Sequence, residues 1–567
     1  MPKKVVIVGG VAGGASCAAR LRRLDETAEV VMLERGPYIS FANCGLPYYI
    51  GGVIEERDEL LLQTPESFNR RFGVDVRVNS EVTGIDRDTK TVSVKSAGKE
   101  YTEGYDVLVL SPGSSPIVPE IPGVQLDKVM PLWTIPDMDR ISAAIEEDGA
   151  KSAVVVGGGF IGIEMAENLR HAGLDVTLID MMDQVMPSID FDMAQLLHRH
   201  LTEKGVKLAL ADAVRRFDET DGGVTVVTDK LSLQADIVIL SIGVKPNVQL
   251  AKGCGLEIGQ SGGIVVDESL RTQDESIYAV GDAVEVTHYV SGLKAMIPLA
   301  GPANKMGRMA ADNIAGQARV YKGSLGSSVA KVFDLTVAST GLSEKELREA
   351  DKKLGVDFKT VTLHPLDHAG YYPGGRTLCI KLVFGTDGKV LGAQAVGQRG
   401  ATKRIDVIAT AIKFGASIYD LEELDLCYAP PYSSAKDPVN MAGFAAENVL
   451  RGVVDNITVA QLQGLGEDTV LLDVRTQREV AMGTIDGSVH VPVDSLRENI
   501  ESLDKDKDYV VFCAVGIRAH IASRILKQSG FERVRNLAGG FTSYKLYTQD
   551  FNMKSEQYAA KIAAALR

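Results

Sequence analysis

With 567 residues the chain is too long for one hydrophobic core, and the length suggests roughly three or four domains. Its 45% hydrophobic and 24% charged content is that of globular protein, and a formal net charge of −14 argues against a general nucleic-acid role, which needs a positive field. Cys17, Cys44, Cys254, Cys379, Cys427 and Cys513 form no C-x-x-C pair and no His/Cys cluster, which excludes the usual zinc spacings and a disulfide framework. No apolar run approaches the ~18 residues of a membrane span, and Val5 to Val8 is too short for a signal peptide, so a cytoplasmic protein is expected.

The first predicted unit is an all-apolar strand, Val5 to Val8, then the glycine-rich turn Gly9 to Gly14, then a helix through about Leu24. A second strand from Val30 ends at Glu34, about 20 residues past Gly14. That is the plan of a dinucleotide fold, in which glycines permit a tight turn, the helix amino terminus faces a pyrophosphate and the carboxylate accepts from a ribose hydroxyl. Val11 stands at the middle glycine position, so the backbone is expected to approach the pyrophosphate less closely. The helix carries Arg20, Arg22 and Arg23, and Arg70-Arg71 follow later. Arginine forks bind phosphates, but arginines late in a helix also complement its dipole and solvate a face.

Next comes the run Ser40-Phe-Ala-Asn43-Cys44-Gly-Leu-Pro47-Tyr48, which places a thiol where the reactive face of a flavin belongs. Cys44 has no second cysteine nearby. Its oxidised state must then be a mixed disulfide with a small thiol, a persulfide or a sulfenic acid, so the expected chemistry is redox at sulfur or oxygen.

A second dinucleotide unit follows: Val154-Val-Val156, then Gly157, Gly159 and Gly162, then a helix over Ile163 to His171, then a strand ending at Asp180. Asp180 would bind a free ribose 2′-hydroxyl and repel a 2′-phosphate, with no arginine beside it, so NADH is expected over NADPH. Glu164 could hold a flavin-side lysine, orient the nicotinamide, or be a first-turn acid favoured by the dipole. Further on, Ile277-Tyr-Ala-Val-Gly281-Asp282 after Thr272 presents a carboxylate suited to the ribityl hydroxyls of a flavin.

Thr272 with Tyr278 to Asp282, the loop Ser111-Pro112-Gly113 and the two fingerprints resemble the two-dinucleotide flavoprotein disulfide reductases over residues 1 to about 450. The resemblance implies an FAD-binding domain (1–115 and 246–322), an NADH-binding domain (116–245) and an α+β dimerisation domain (323–452), hence a homodimer. By it, Gly9, Gly14, Glu34, Arg35, Pro112, Gly113, Gly281 and Asp282 serve FAD, and Gly157, Gly159, Gly162, Glu164 and Asp180 serve NADH. The segment around Cys44 resembles the coenzyme A disulfide reductases in particular. Their single-cysteine relatives, the NADH oxidases and peroxidases, have a histidine in the first glycine loop, where this chain has Val11-Ala12-Gly13. The resemblance implies coenzyme A contacts at Ser16, Arg20, Arg23, Ser40, Asn43, Arg71, Asn304 and Lys436. It also implies catalytic phenols at Tyr371 and Tyr428 from the partner subunit, with Tyr372 and Tyr432 as neighbouring alternatives. Phenols can donate to a thiolate and protonate a departing sulfur. Read without the resemblance, these are turn-rich segments with packed aromatics.

Beyond residue 450 a new α/β pattern begins. One strand ends at Asp473-Val-Arg475; another, Tyr509 to Phe512, runs into Cys513-Ala-Val-Gly516-Ile-Arg518 and a helix over Ala519 to Leu526. A thiol between a strand end and a helix start is ringed by backbone N–H groups, which stabilise an anionic persulfide. With Asn536 to Phe541, the segment 455–567 resembles a rhodanese domain, which implies catalytic roles for Cys513 and Arg518. Cys17, Cys254 and Cys379 read as small apolar core residues, Cys427 adjoins the tyrosine loop, and the eight histidines show no ligand spacing.

The expected whole is an α/β protein with two Rossmann-like domains, a dimerisation domain and a rhodanese domain. Its expected activity is that of an FAD- and NADH-dependent reductase of the EC 1.8.1 class. Electrons would pass through Cys44 to the sulfur–sulfur bond of coenzyme A persulfide, polysulfide or coenzyme A disulfide, with sulfur transfer at Cys513. The competing expectations are a plain coenzyme A disulfide reductase, a single-cysteine NADH oxidase, or a carboxy-terminal module that docks on partner proteins. Neither nucleic acid nor membrane is expected as a partner.

Overall fold

The computed structural model describes residues 2–466 and 468–553; the end of the expected rhodanese range, 554–567, lies outside the described residues. The chain forms two compact units, residues 1–183 with 209–326 and residues 184–208 with 327–567.

In the first unit the strand Lys4–Val8 lies between Glu29–Leu33 and Val107–Leu110, with Asp75–Arg77 and Ile277–Ala279 at the sheet edges, all parallel. Val5, Val6 and Ile7 are fully buried. A continuous apolar run is what a strand covered on both faces requires, and each such side chain contributes about 1.5–3 kcal/mol on burial. The late strand Ile277–Ala279 pairs with Val107–Leu110, which carries Asp282 to the carboxyl end of this sheet beside the 111–114 loop. A second parallel sheet includes Val129–Pro131, Ile237–Leu240, Ser152–Val156 and Asp175–Ile179 in that spatial order. The helix after its glycine turn spans Phe160–His171 and so starts three residues before the expected Ile163. Gly162 lies inside it, packed so closely on Gly157 that an added Cβ would strike the Gly157 carbonyl.

The second unit contains a five-stranded antiparallel sheet in the order Ser328–Val332, Leu335–Gly341, Val390–Gly397, Leu378–Gly385, Phe358–Leu363, with the helices Ala401–Lys413 and Pro438–Leu450 packed on it. Its other sheet is parallel, in the order Asn456–Ile457, Val534–Leu537, Asp508–Phe512, Thr469–Asp473, Val489–His490. The helix after Cys513 spans Ile517–Gln528, longer at both ends than expected, because Ile517 and Arg518 begin it and the polar Lys527 and Gln528 continue its last turn. Among the described residues no helix is long and apolar enough to cross a membrane, and no cluster of His, Cys, Asp and Glu could hold a metal ion.

Candidate active site

The two glycine turns are built alike. Gly9 has φ +98° and Gly157 φ +104°, conformations that exclude an ordinary side chain. Glu34 accepts from the Gly10 amide at 2.8 Å and the Gly36 amide at 2.7 Å. Asp180 accepts from the Gly158 amide at 2.6 Å and the Met182 amide at 2.8 Å. Each carboxylate is therefore held at the lip of its turn, where a ribose would lie, and Arg35 is exposed beside Glu34. Val11 fits the middle position because the backbone there keeps a negative φ of −95°, as amino-terminal cap of the helix Ala12–Leu24. The amide side chain of Asn247 donates to the Pro112 carbonyl, and its backbone amide donates to that of Gly113, which pins that loop. Ser114 donates to Asp282 at 3.1 Å, and burial pushes the Asp282 carboxyl up. Both cradles keep the room and the donors that a dinucleotide needs.

Cys44 sits in a single helical turn, Asn43–Gly45, that leads into the short helix Leu46–Ile50. All six cysteines are free, and Cys44 is open to solvent. The protein packed around its sulfur pushes the thiol up from its ordinary pKa, and the carboxylates of Glu164 and Asp282 push the same way. Glu164 does not lie in the first turn of its helix, so the dipole reading fails. Its side-chain partner is the Tyr48 hydroxyl, which donates at 3.2 Å, rather than a lysine, one of the alternatives open from the sequence.

Burial raises the Glu164 carboxyl to about 7. Because the folded value lies above the unfolded one, stability falls as pH rises from the ordinary glutamate range through 7 and is flat above it. Glu164→Gln is therefore expected to raise the melting temperature at pH 8 but not at pH 5, by an amount equivalent to about 3 kcal/mol. The same change should speed iodoacetamide labelling of Cys44 at pH 8, since it removes a negative charge beside the thiol.

A cavity of about 470 Å³ opens in the same unit, lined by Ser16, Arg23, Ser40, Arg71 and Asn304 among the expected coenzyme A contacts. Ser16 donates to Asn304 at 2.5 Å. Ser40 takes a left-handed φ of +46°, and strain of this kind in a non-glycine residue is concentrated at functional sites. Gln63, Lys305 and Arg308 also line the cavity and were missed from the sequence. The spacing of Lys305 and Arg308 one turn apart, beside Asn304, was the available signal. The three arginines of the first helix have separate fates. Arg22 is buried and donates to the carbonyls of Asp25, Glu26, Phe72 and Gly73, a structural role. Arg20 does not line the cavity and pairs with buried Asp312 at 2.6 Å. Arg23 alone reaches the cavity. Asn43 is exposed outside the cavity lining, and Lys436 is an exposed residue of the second unit.

In that second unit the Tyr371 and Tyr428 hydroxyls lie 2.6 Å apart, and both rings are exposed. One hydroxyl donates to the other, so the pair keeps one unused proton that can point outward. The hydrogen bond with Tyr428 raises the pKa of Tyr371. Tyr372 packs edge-on against His368, and both Tyr372 and Tyr432 are exposed.

Cys513 follows the strand Asp508–Phe512 and is fully buried, its sulfur accepting from the Gly516 amide at 3.1 Å. The Phe541 amide donates to the Cys513 carbonyl, which fixes the loop from its other side. Arg518 forms a two-pronged pair with Glu479 at 2.7 and 2.6 Å, which pulls that carboxyl down to about 2. Buried Asp473 and Arg475 pair at 2.6 Å, and the Arg475 guanidinium lies 4.2 Å from the Phe541 ring centroid. Glu479 was not identified from the sequence, although it follows the Asp473/Arg475 pair closely.

The chain matches the pyridine nucleotide-disulphide oxidoreductase family over residues 3–307, the dimerisation domain of that family over 327–438 and the rhodanese-like domain over 458–547. It is 49% identical to Bacillus anthracis CoADR-RHD, whose crystal structure superposes with a TM-score of 0.93 over 96% of this chain and 98% of that one. It is 41% identical to an NAD-dependent persulfide reductase from A. fulgidus, with a TM-score of 0.90 over 95% of this chain and 100% of that one. A coenzyme A disulfide reductase of Staphylococcus haemolyticus is 35% identical over 79% of this chain and 100% of its own length. The chain belongs to the pyridine nucleotide-disulphide oxidoreductase family, with a rhodanese-like domain toward its carboxy-terminal end.

Proposed function

We propose that the chain acts as a homodimeric, FAD-dependent reductase that takes electrons from NADH and cleaves the sulfur–sulfur bond of a coenzyme A persulfide, with Cys513 handling sulfane sulfur. The observation that carries this reading is the cationic cavity of Arg23, Arg71, Lys305 and Arg308, entered by Ser40 from the same segment that holds the free thiol of Cys44. Such a cavity suits the phosphates of coenzyme A and leaves its thiol end to reach Cys44.

FAD, when bound, would accept hydride from NADH and return two electrons to the sulfur of Cys44. The Cys44 thiolate attacks the coenzyme A sulfur of the persulfide, forming a mixed disulfide and expelling hydrosulfide. Two electrons then cleave that disulfide to the Cys44 thiolate and coenzyme A. The sum converts NADH, a proton and CoA–S–SH into NAD⁺, CoA–SH and H₂S. The surroundings of Cys44 disfavour its thiolate, so donors to that thiolate are needed. The Tyr371–Tyr428 pair, with its unused proton, would supply one to the partner subunit's Cys44 and protonate the departing sulfur.

The test is anaerobic NADH oxidation with coenzyme A persulfide and coenzyme A disulfide offered in parallel and released sulfide assayed. Faster turnover with persulfide, one sulfide per NADH, is expected; faster turnover with disulfide would make the chain a thiol-maintaining reductase. Arg71→Ala is expected to raise KM for either coenzyme A substrate by about 10-fold or more and to leave KM for NADH unchanged. That loss should shrink as salt rises.

A further inference from the structure

Arg404 lies in the first turn of the helix Ala401–Lys413, 1% exposed. A cation is poorly placed there, since the amino-terminal end of a helix is positive, and burying it adds a desolvation cost. Its guanidinium spans two separate segments. One nitrogen donates to the Asp367 carbonyl at 2.9 Å, at the base of the loop that carries Tyr371. The same nitrogen donates to Ser433 at 3.3 Å and Asp437 at 3.1 Å, in the segment that carries Tyr428 and Lys436. Ser433 donates in turn to Asp437 at 2.6 Å, and the Ala369 amide donates to the Ser433 carbonyl at 3.0 Å. Burial alone would push the Asp437 carboxyl up; Ser433, the Val439 amide and Arg404 together hold it below its ordinary range. Gly400, with φ +74°, leaves the space that the guanidinium fills, since an added Cβ there would strike it.

The tyrosine segments themselves are exposed and carry little apolar packing that could fix them. We infer that Arg404 is a positioning residue for the reductase: its guanidinium ties the two tyrosine loops to one anchor and so sets the 2.6 Å approach of Tyr371 to Tyr428. A lysine keeps the charge but loses the Nε bond to Asp437 and the Nη1 bond to the Gly400 carbonyl, both 3.3 Å, which aim the shared nitrogen at the two loops. The inference rests on the catalytic role proposed above for the tyrosine pair.

The experiment is a double-mutant cycle of Arg404→Lys and Tyr428→Phe in the full-length holoenzyme, with NADH reduction of the flavin and reoxidation by coenzyme A disulfide timed separately. Arg404→Lys is expected to slow reoxidation by about 10- to 100-fold and to leave flavin reduction within about twofold. The double variant should be no slower than Tyr428→Phe alone, because both changes remove one function. Ser433→Ala, a smaller perturbation of the same anchor, replaces Arg404→Lys if that variant does not fold. Multiplying losses, or equal slowing of both half-reactions, would overturn the inference while the tyrosine role stands. An unchanged reoxidation rate in Tyr428→Phe would overturn both.

Discussion

Cys44→Ser is expected to cut NADH oxidation supported by coenzyme A persulfide or disulfide by at least about 10³-fold. Reduction of the flavin by NADH and sulfur transfer at Cys513 should stay within about twofold. The size of the loss follows from the sulfur's role, because a serine hydroxyl neither attacks a disulfide at neutral pH nor forms a reducible bond to sulfur. Two of the other thiols cannot take over. Cys17 and Cys379 are buried, and burial pushes the Cys17 thiol up to about 12 and raises Cys379 as well. Stopped-flow traces of flavin reduction beside steady-state NADH consumption separate the two steps. If Cys44→Ser still turned over with either sulfur substrate, electrons would be leaving by another route and the assignment of Cys44 would fail. A wild-type enzyme that consumed NADH rapidly in air with no sulfur compound present would instead favour the oxidase reading.

What could be read from the chain was what a short stretch of backbone decides. Gly9, Gly14 and Glu34 fall within one strand–turn–helix–strand unit, as do Gly157, Gly162 and Asp180, and both carboxylates close on their own turns. Cys513 and Gly516 are three residues apart, so the amide that meets the sulfur is local as well. The side-chain partners brought together by tertiary packing were not legible. The fates of Arg20, Arg22 and Arg23 differ because Asp312, the Phe72–Gly73 turn and the cavity meet three successive faces of one helix, and no spacing in that helix records which face meets which. Tyr48 reaches Glu164 from another helix, 116 residues away in sequence. Lys305 and Arg308 enter the cavity from a helix almost 300 residues away from Ser16 in sequence, and Arg404 reads as an ordinary helical cation until its two loops fold around it.

Cys513→Ser is expected to abolish transfer of sulfane sulfur from thiosulfate or polysulfide to a thiol acceptor, by at least about 10³-fold, because a serine hydroxyl cannot carry sulfane sulfur as a persulfide. The amide of Gly516 already points at the sulfur, so the cradle for an anionic persulfide exists before substrate arrives and costs no rearrangement. Reduction of coenzyme A disulfide, which contains no sulfane sulfur, should be unchanged in this variant and serves as the internal control. The informative arm is polysulfide with catalytic coenzyme A under anaerobic conditions: if Cys513 loads coenzyme A for reduction at Cys44, sulfide release in Cys513→Ser falls to the uncatalysed exchange rate. Free coenzyme A persulfide then restores turnover, since it enters after the missing step. Arg518→Ala probes the same loop without removing the thiol. With Glu479 left unpaired, sulfur transfer should fall by about 10-fold and the melting transition of the domain should drop with it. Equal sulfide release by wild type and Cys513→Ser in the polysulfide arm would separate the two thiols into independent activities that share one chain.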